Sequence, residues 1–317
     1  MNMWEMLAVA QAKLDRALVL RRILDRAARG SALTDWSALS DWSLNRQIPD
    51  AGSSLALDDD RYLPKLGGML VSETAIYPAM SAAGNIASAA EVVNGWEYPD
   101  DRGRLNMRII AVMTGCRVAL ETAALTVWAL GPDDRDVRRK RCAGLVFKEN
   151  QNQRGFINCD RKIHTTTGHA ALLASLEESC ALFEEHDAIV KQAPKANVPN
   201  STQLVKDAAQ WIQDNPPAHA VDLLGGKVGY DVLADRMYNL TSGFVHGFKW
   251  ATWYVHNERE LLGVVADSFA AALIMAESAV ALFEAQAQNR YGTQRMLHYP
   301  DLLTSTIDQW SQRYATS

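Results

Sequence analysis

Two long apolar stretches constrain this chain most: IIAVMTGCRVALETAALTVWAL at 109–130 and LGVVADSFAAALIMAESAVALF at 262–283. Each approaches the length of a membrane span. Yet Arg117 and Glu121 sit inside the first, and Asp267 and Glu277 inside the second. A charge at a bilayer centre costs roughly 2.5–3.5 kcal/mol on insertion scales. Core helices of a soluble protein accommodate such charges at lower cost, so the expectation is two buried central helices and no membrane partner.

The remaining pattern is helical too. Leu7, Leu14, Leu18 and Leu24 recur near helical spacing over about 3–28, and Gly30 supplies a stop. A loop-like region to about 60 carries TDWS at 34–37 and SDWS at 40–43, whose Trp36 and Trp42 suit loop anchoring. LDDDR at 57–61 reads as a solvated acidic start to the next helix. One or two helices follow over 61–95, then the apolar helix 105–130 ending at Gly131-Pro132. A charged helix starts near 133, QNQRGFINCD at 151–160 reads as a polar linker, and another helix covers 166–191. KANVPNSTQ is a second linker, with Ser201 or Thr202 capping a helix to Asp214. Long helices at 229–257 and 260–288 complete the series. No segment sustains strand alternation, so the expected fold is an all-α multi-helix bundle with long central helices. An N-terminal region 1–100 packs on a core 101–290, with a tail 291–317, in one compact domain.

Composition excludes several classes. Hydrophobic content of 48% and charged content of 22% exclude disorder. A net charge of −5 argues against non-specific nucleic-acid binding, although a local basic patch remains compatible with phosphate. Cys116, Cys142, Cys159 and Cys180 show neither CxxC nor zinc-like spacing, and charges interrupt the N-terminal stretch where a secretory signal would be apolar. Free thiols and a cytoplasmic location are expected. LGGKVGY at 224–230 lacks the ending of a phosphate-binding loop, and no metal or cofactor motif occurs; His164 and His169 are the nearest approach to a pair.

Chemistry concentrates in DRMYNLTSGFVHGFKWATWYVHNE. A continuous helix would bring Tyr238, Ser242, His246, Lys249, Trp253 and His256 onto one stripe. Leu240, Phe244, Phe248, Ala251 and Val255 would face the core, with Gly243 and Gly247 on a third face for a partner helix. The stripe admits acid/base chemistry or a buried polar seam. Arg117 and Glu121, four residues apart, form an internal clamp or a substrate-facing pair. RDVRRKR at 135–141 reads as a solvated helix with a basic side that could contact phosphate or RNA.

CRVALETAALTVWAL, the basic helix after it and YNLTSGFVHG, in that order, resemble a broad set of uncharacterised helical proteins frequent in actinobacteria. The arrangement is also distantly similar to HEPN-like helical domains, many of them dimeric and acting on RNA in defence. That resemblance implies a homodimer and metal-free RNA cleavage, with His246 as general base and Arg117 and Lys249 stabilising phosphate, assisted by Tyr238. Glu121, Ser242, Trp253 and His256 would then be binding residues. The chain departs from the usual arginine–histidine pair of that group, because Arg236 precedes His246 by ten residues. A non-catalytic scaffold, and a small-molecule sensor with a cleft lined by Trp128, Trp253 and Arg117, remain open beside it.

Overall fold

A computed structural model describes residues 3–30, 39–96, 108–220, 228–293 and 295–314. Among them the chain is all-α, with helices α1 (Met3–Gly30), α2 (Leu39–Leu44), α3 (Ser54–Asp59), α4 (Leu70–Asn94), α5 (Ile109–Leu130) and α6 (Arg135–Thr167). They continue with α7 (Ala170–Gln192), α8 (Ser201–Asp214), α9 (Tyr230–Val245), α10 (Glu258–Ala287) and α11 (Thr304–Ser311). Trp36 and most of LGGKVGY lie outside the described residues.

Helix α10 is the axis of the bundle. It packs against α1, α4, α5, α9 and α11, and from Leu262 to Ala287 nearly every side chain is buried. A helix apolar all round is a core helix when neighbours surround it. Helices α5 and α10 are both long and apolar enough to cross a membrane, but 94% of the apolar window of α10 is buried inside the protein. Two of its acids are buried, Glu277 and Glu284, seven residues apart on one face. Glu277 receives a fork from Arg29 of α1 (2.7 and 2.9 Å) and lies 3.4 Å from Nε2 of His219, whose ring contacts Thr306. Glu284 accepts from the indole of Trp42 (2.8 Å) and from Arg295 (2.8 Å). Helix α1, the segment around Trp42 and the segment around Arg295 are thereby fastened to the central helix. In the C-terminal segment Leu303, Ile307 and Trp310 are buried, and α11 packs on α10.

Two expectations are corrected around α3 and α6. LDDDR is not a solvated helix start, because α3 ends within it at Asp59, and Asp58 and Asp59 are buried. RDVRRKR is likewise not a free basic face. Fully buried Arg138 binds both carboxylate oxygens of Asp58 (Nη2–Oδ1 2.7 Å) and donates to Pro132 O (3.0 Å), Asp133 O (2.8 Å) and Ser54 Oγ (3.3 Å). Every guanidinium N–H therefore has an acceptor. Arg135 reaches the same carboxylate at 3.1 Å. Arg139 caps the carbonyl end of α3 through Leu57, Asp58 and Asp60, and Arg141 lies over the Trp128 ring. Cationic groups suit exposed carbonyls at a helix C-terminus.

The linker expected at 151–160 is helical, since α6 runs unbroken to Thr167 and turns at Gly168. It forms an outlying hairpin with α7, held by Arg161–Glu177 (2.5 Å), Arg154–Glu184 (2.5 Å) and an Arg154–Asp187 contact. These partners compensate for the polar composition. The second linker precedes α8 as expected, although Asn200 supplies the cap (to Gln203 N, 2.9 Å) in place of Ser201 or Thr202. In α1, the leucine stripe faces outward, and Ile23 and Ala27 fill the core. All four cysteines are free, with Cys159 exposed on α6.

Removing one member of a buried pair strands the other charge, at about 3–5 kcal/mol. Arg138→Met is expected to lose that much in urea unfolding, and the double variant Asp58→Leu/Arg138→Met less than either single change. Asp59, which accepts from Val71 N (2.7 Å), is held by burial at a pKa of about 6, above its ordinary value. Its contribution to stability is complete below about pH 4 and declines as pH rises through about 6. Asp59→Asn keeps an acceptor without the charge. Its melting temperature relative to the parent should therefore rise between pH 5 and pH 8, and a flat difference would remove the ionisation cost.

Candidate functional site

The expected chemical stripe divides in two, because the helix that was to carry it stops early. Helix α9 ends at Val245; His246 caps it, its N–H donating to Ser242 O (3.0 Å). Gly247 then turns the chain with φ +69°, a conformation that L side chains rarely adopt. A 3-10 turn follows at Lys249–Tyr254. The backbone folds back over Gly243, where a Cβ would lie 2.8 Å from the Trp250 ring and 2.9 Å from Ala251 Cβ. Gly243 thus admits the returning turn, not a partner helix, and Gly247 faces open space. Ala251 is buried beneath the turn, while Phe248, assigned by spacing to the core, is exposed.

The first half of the stripe is a half-buried node between helices. Arg117 of α5 lies over the Tyr238 ring at 5.4 Å and is 3.6 Å from Glu121. Arg117, Glu121 and Ser201 are the polar neighbours of the Tyr238 phenol, and α5, α8 and α9 meet around it. Burial, with Glu121 adding to it, pushes this phenol above its ordinary pKa despite Arg117. Arg117 and Glu121 thus face Tyr238 from α5, with Ser242 half-buried one turn beyond Tyr238 on α9.

The second half is an outward turn. Its ring groups are Phe248, Trp250, Trp253 and Tyr254, with Trp253 and Tyr254 each 62% exposed. Trp250 and Tyr254 meet edge-to-face at 6.1 Å, and the His246 ring lies 5.7 Å from Phe248. Lys249 and His256 are exposed among them. From Arg236 to Asn257 the sequence holds no acidic residue, although the whole chain carries −5. The turn is fixed at its far end by a capping box: Asn257 accepts from Glu260 N (3.0 Å), and Glu260 accepts from His256 N (2.8 Å).

His246 does not join Arg117. It lies eight residues beyond Tyr238, roughly 12 Å along the helix, and outside the bundle. The sensor cleft is not assembled either: Trp128 is buried under Arg141, whereas Trp253 points outward. Three principal grooves, of about 430, 650 and 980 Å³, are lined by none of the expected site residues. No group of three His, Cys, Asp or Glu residues able to hold a metal occurs among the described residues. The aromatics Phe248, Trp250 and Tyr254 went unselected because a continuous helix would have dispersed them. Their signal was the ring density of FKWATWY itself.

Comparison with protein-family models, with curated proteins and with solved structures gives no match.

The two halves should respond differently to substitution. Tyr238→Phe is expected to cost about 1 kcal/mol through the lost hydroxyl contacts, and His246→Ala less than about 0.5 kcal/mol as a surface change. Chemical denaturation of both variants measures this, and a larger loss for His246→Ala would place that ring in the structural seam.

Proposed function

We propose that this chain is a helical binding protein that holds single-stranded RNA on the turn 246–256 without cleaving it. The observation that carries the reading is the exposed ring cluster Phe248, Trp250, Trp253 and Tyr254, set among Lys249, His246 and His256. Splayed bases stack on such rings for ~1–3 kcal/mol each, and the Lys249 ammonium alongside attracts phosphate. The acid-free sequence of the region suits a polyanion in an otherwise acidic chain. Cleavage by His246 with Arg117 is disfavoured by geometry, since Arg117 is engaged with Tyr238 and Glu121 on the far part of the stripe. The likeness to HEPN-like domains supports RNA as the partner class and leaves the catalytic part aside.

Fluorescence anisotropy with a labelled single-stranded RNA tests the reading. The parent should bind with an affinity that falls as salt rises, and Trp253→Ala and Tyr254→Ala should each weaken it about 5- to 100-fold. Incubating the same RNA with the parent in EDTA should give no product. Cleavage that disappears in His246→Ala would replace the reading with a metal-free ribonuclease. Unchanged binding in both aromatic variants would remove the turn as the RNA site.

A further inference from the structure

Helix α6 packs on both α4 and α7, whereas α4 and α7 barely touch. The hairpin therefore stands off α4, and a cleft of about 430 Å³ opens between α4 and α7. Small-molecule sites begin at that size. The floor is apolar: Leu70 and Val190 are buried, and Val146 packs against the core. Phe183 and Tyr77 add rings to the lining, and Tyr77 is 57% exposed.

The charges of the lining have one sign. It holds Glu73 and Glu149 and neither lysine nor arginine. Glu73 is engaged by Arg46, which reaches it from the segment after α2. Arg154 and Lys191 of the hairpin are held by Glu184 and Asp187. Among the described residues Glu149 has no cationic partner, and the Tyr77 phenol and the His186 ring have no hydrogen-bond partner. Three unengaged polar groups and an apolar floor thus share one cleft.

We propose that this cleft binds a small organic monocation, a primary amine carried on an aromatic or apolar body. The Glu149 carboxylate takes the ammonium in a charge-assisted hydrogen bond, and the open Tyr77 ring adds attraction for the same charge. The body of the ligand lies on Leu70, Val146 and Val190. One carboxylate already engaged and one open favour a single charge over a polyamine. An anion finds no counter-charge here, and the apolar floor offers a metal ion no oxygen ligands. Seated between α4 and α7, the amine would join two helices that otherwise share only α6.

Isothermal titration calorimetry of the full chain with 2-phenylethylamine provides the test. The parent should bind one equivalent with a Kd on the order of 0.1–1 mM. The anion 3-phenylpropionate, of nearly the same shape, should not bind. Glu149→Gln keeps the side-chain shape without the charge and should weaken binding at least about tenfold. Ser179→Trp, at an exposed position of the lining, should block the cleft, while Glu178→Gln, exposed beside it and outside the lining, stays close to the parent. Circular dichroism establishes that the three variants retain the helical fold. Amide hydrogen exchange over 179–190 should slow with the amine in the parent and not in Glu149→Gln. Absence of saturable binding, equal binding of 3-phenylpropionate, or undiminished binding by Glu149→Gln overturns the proposal. So does protection confined to helices other than α4, α6 and α7. Tighter binding of spermidine than of 2-phenylethylamine overturns the single charge. None of these readouts depends on RNA.

Discussion

Two carboxylates inside the most apolar helix organise this molecule. Glu277 and Glu284 lie two turns apart on α10, and each would be prohibitively placed without cationic or hydrogen-bonding partners. Those partners come from far along the chain. Glu277 takes Arg29 from the first helix and His219 from the segment after α8, and Glu284 takes Trp42 and Arg295. Apolar packing alone would let α1, α2 and the C-terminal segment slide over a smooth Ala-rich surface. The two acids give each of them one address. The Asp58–Arg138 pair does the same for α3 and α6.

The fold was legible where local signals agree with tertiary outcome. Gly131-Pro132 ends α5 as its residue types demand, and the Trp211 indole takes the freed Gly131 carbonyl at 3.0 Å. The signals failed where a distant partner decides. The acids of LDDDR and the arginines of RDVRRKR each look solvated, and only their meeting across about eighty positions buries them. QNQRGFINCD is too polar to be helical alone, but Arg154 and Arg161 have acids on α7.

The candidate site divides on the same principle. Arg117 and Glu121 were readable as a pair from their spacing of four, and Tyr238 does belong with them. His246, Lys249, Trp253 and His256 do not, because periodicity continues through Phe248, Ala251 and Val255 after the helix has stopped. A single glycine at φ +69° redirects the chain. Hydrophobic period records what could be buried, and carries little information about a reversal enforced by one backbone angle. The result inverts the usual distribution: arginines turn inward onto carboxylates and carbonyls, while several of the largest rings face out.

The Arg29–Glu277 contact joins residues 248 positions apart, and it lies between helices that run in the same direction. At 5–20 residues per second, roughly 12–50 s of synthesis separate the two groups. Helix α1, made well before α10, is therefore among the last to be fixed. Through that interval its inner face, Val19, Leu20, Ile23 and Ala27, has only α4 to rest on. A nascent chain of this protein presents a half-covered amphipathic helix to whatever holds emerging polypeptides, until α10 arrives and closes the bundle.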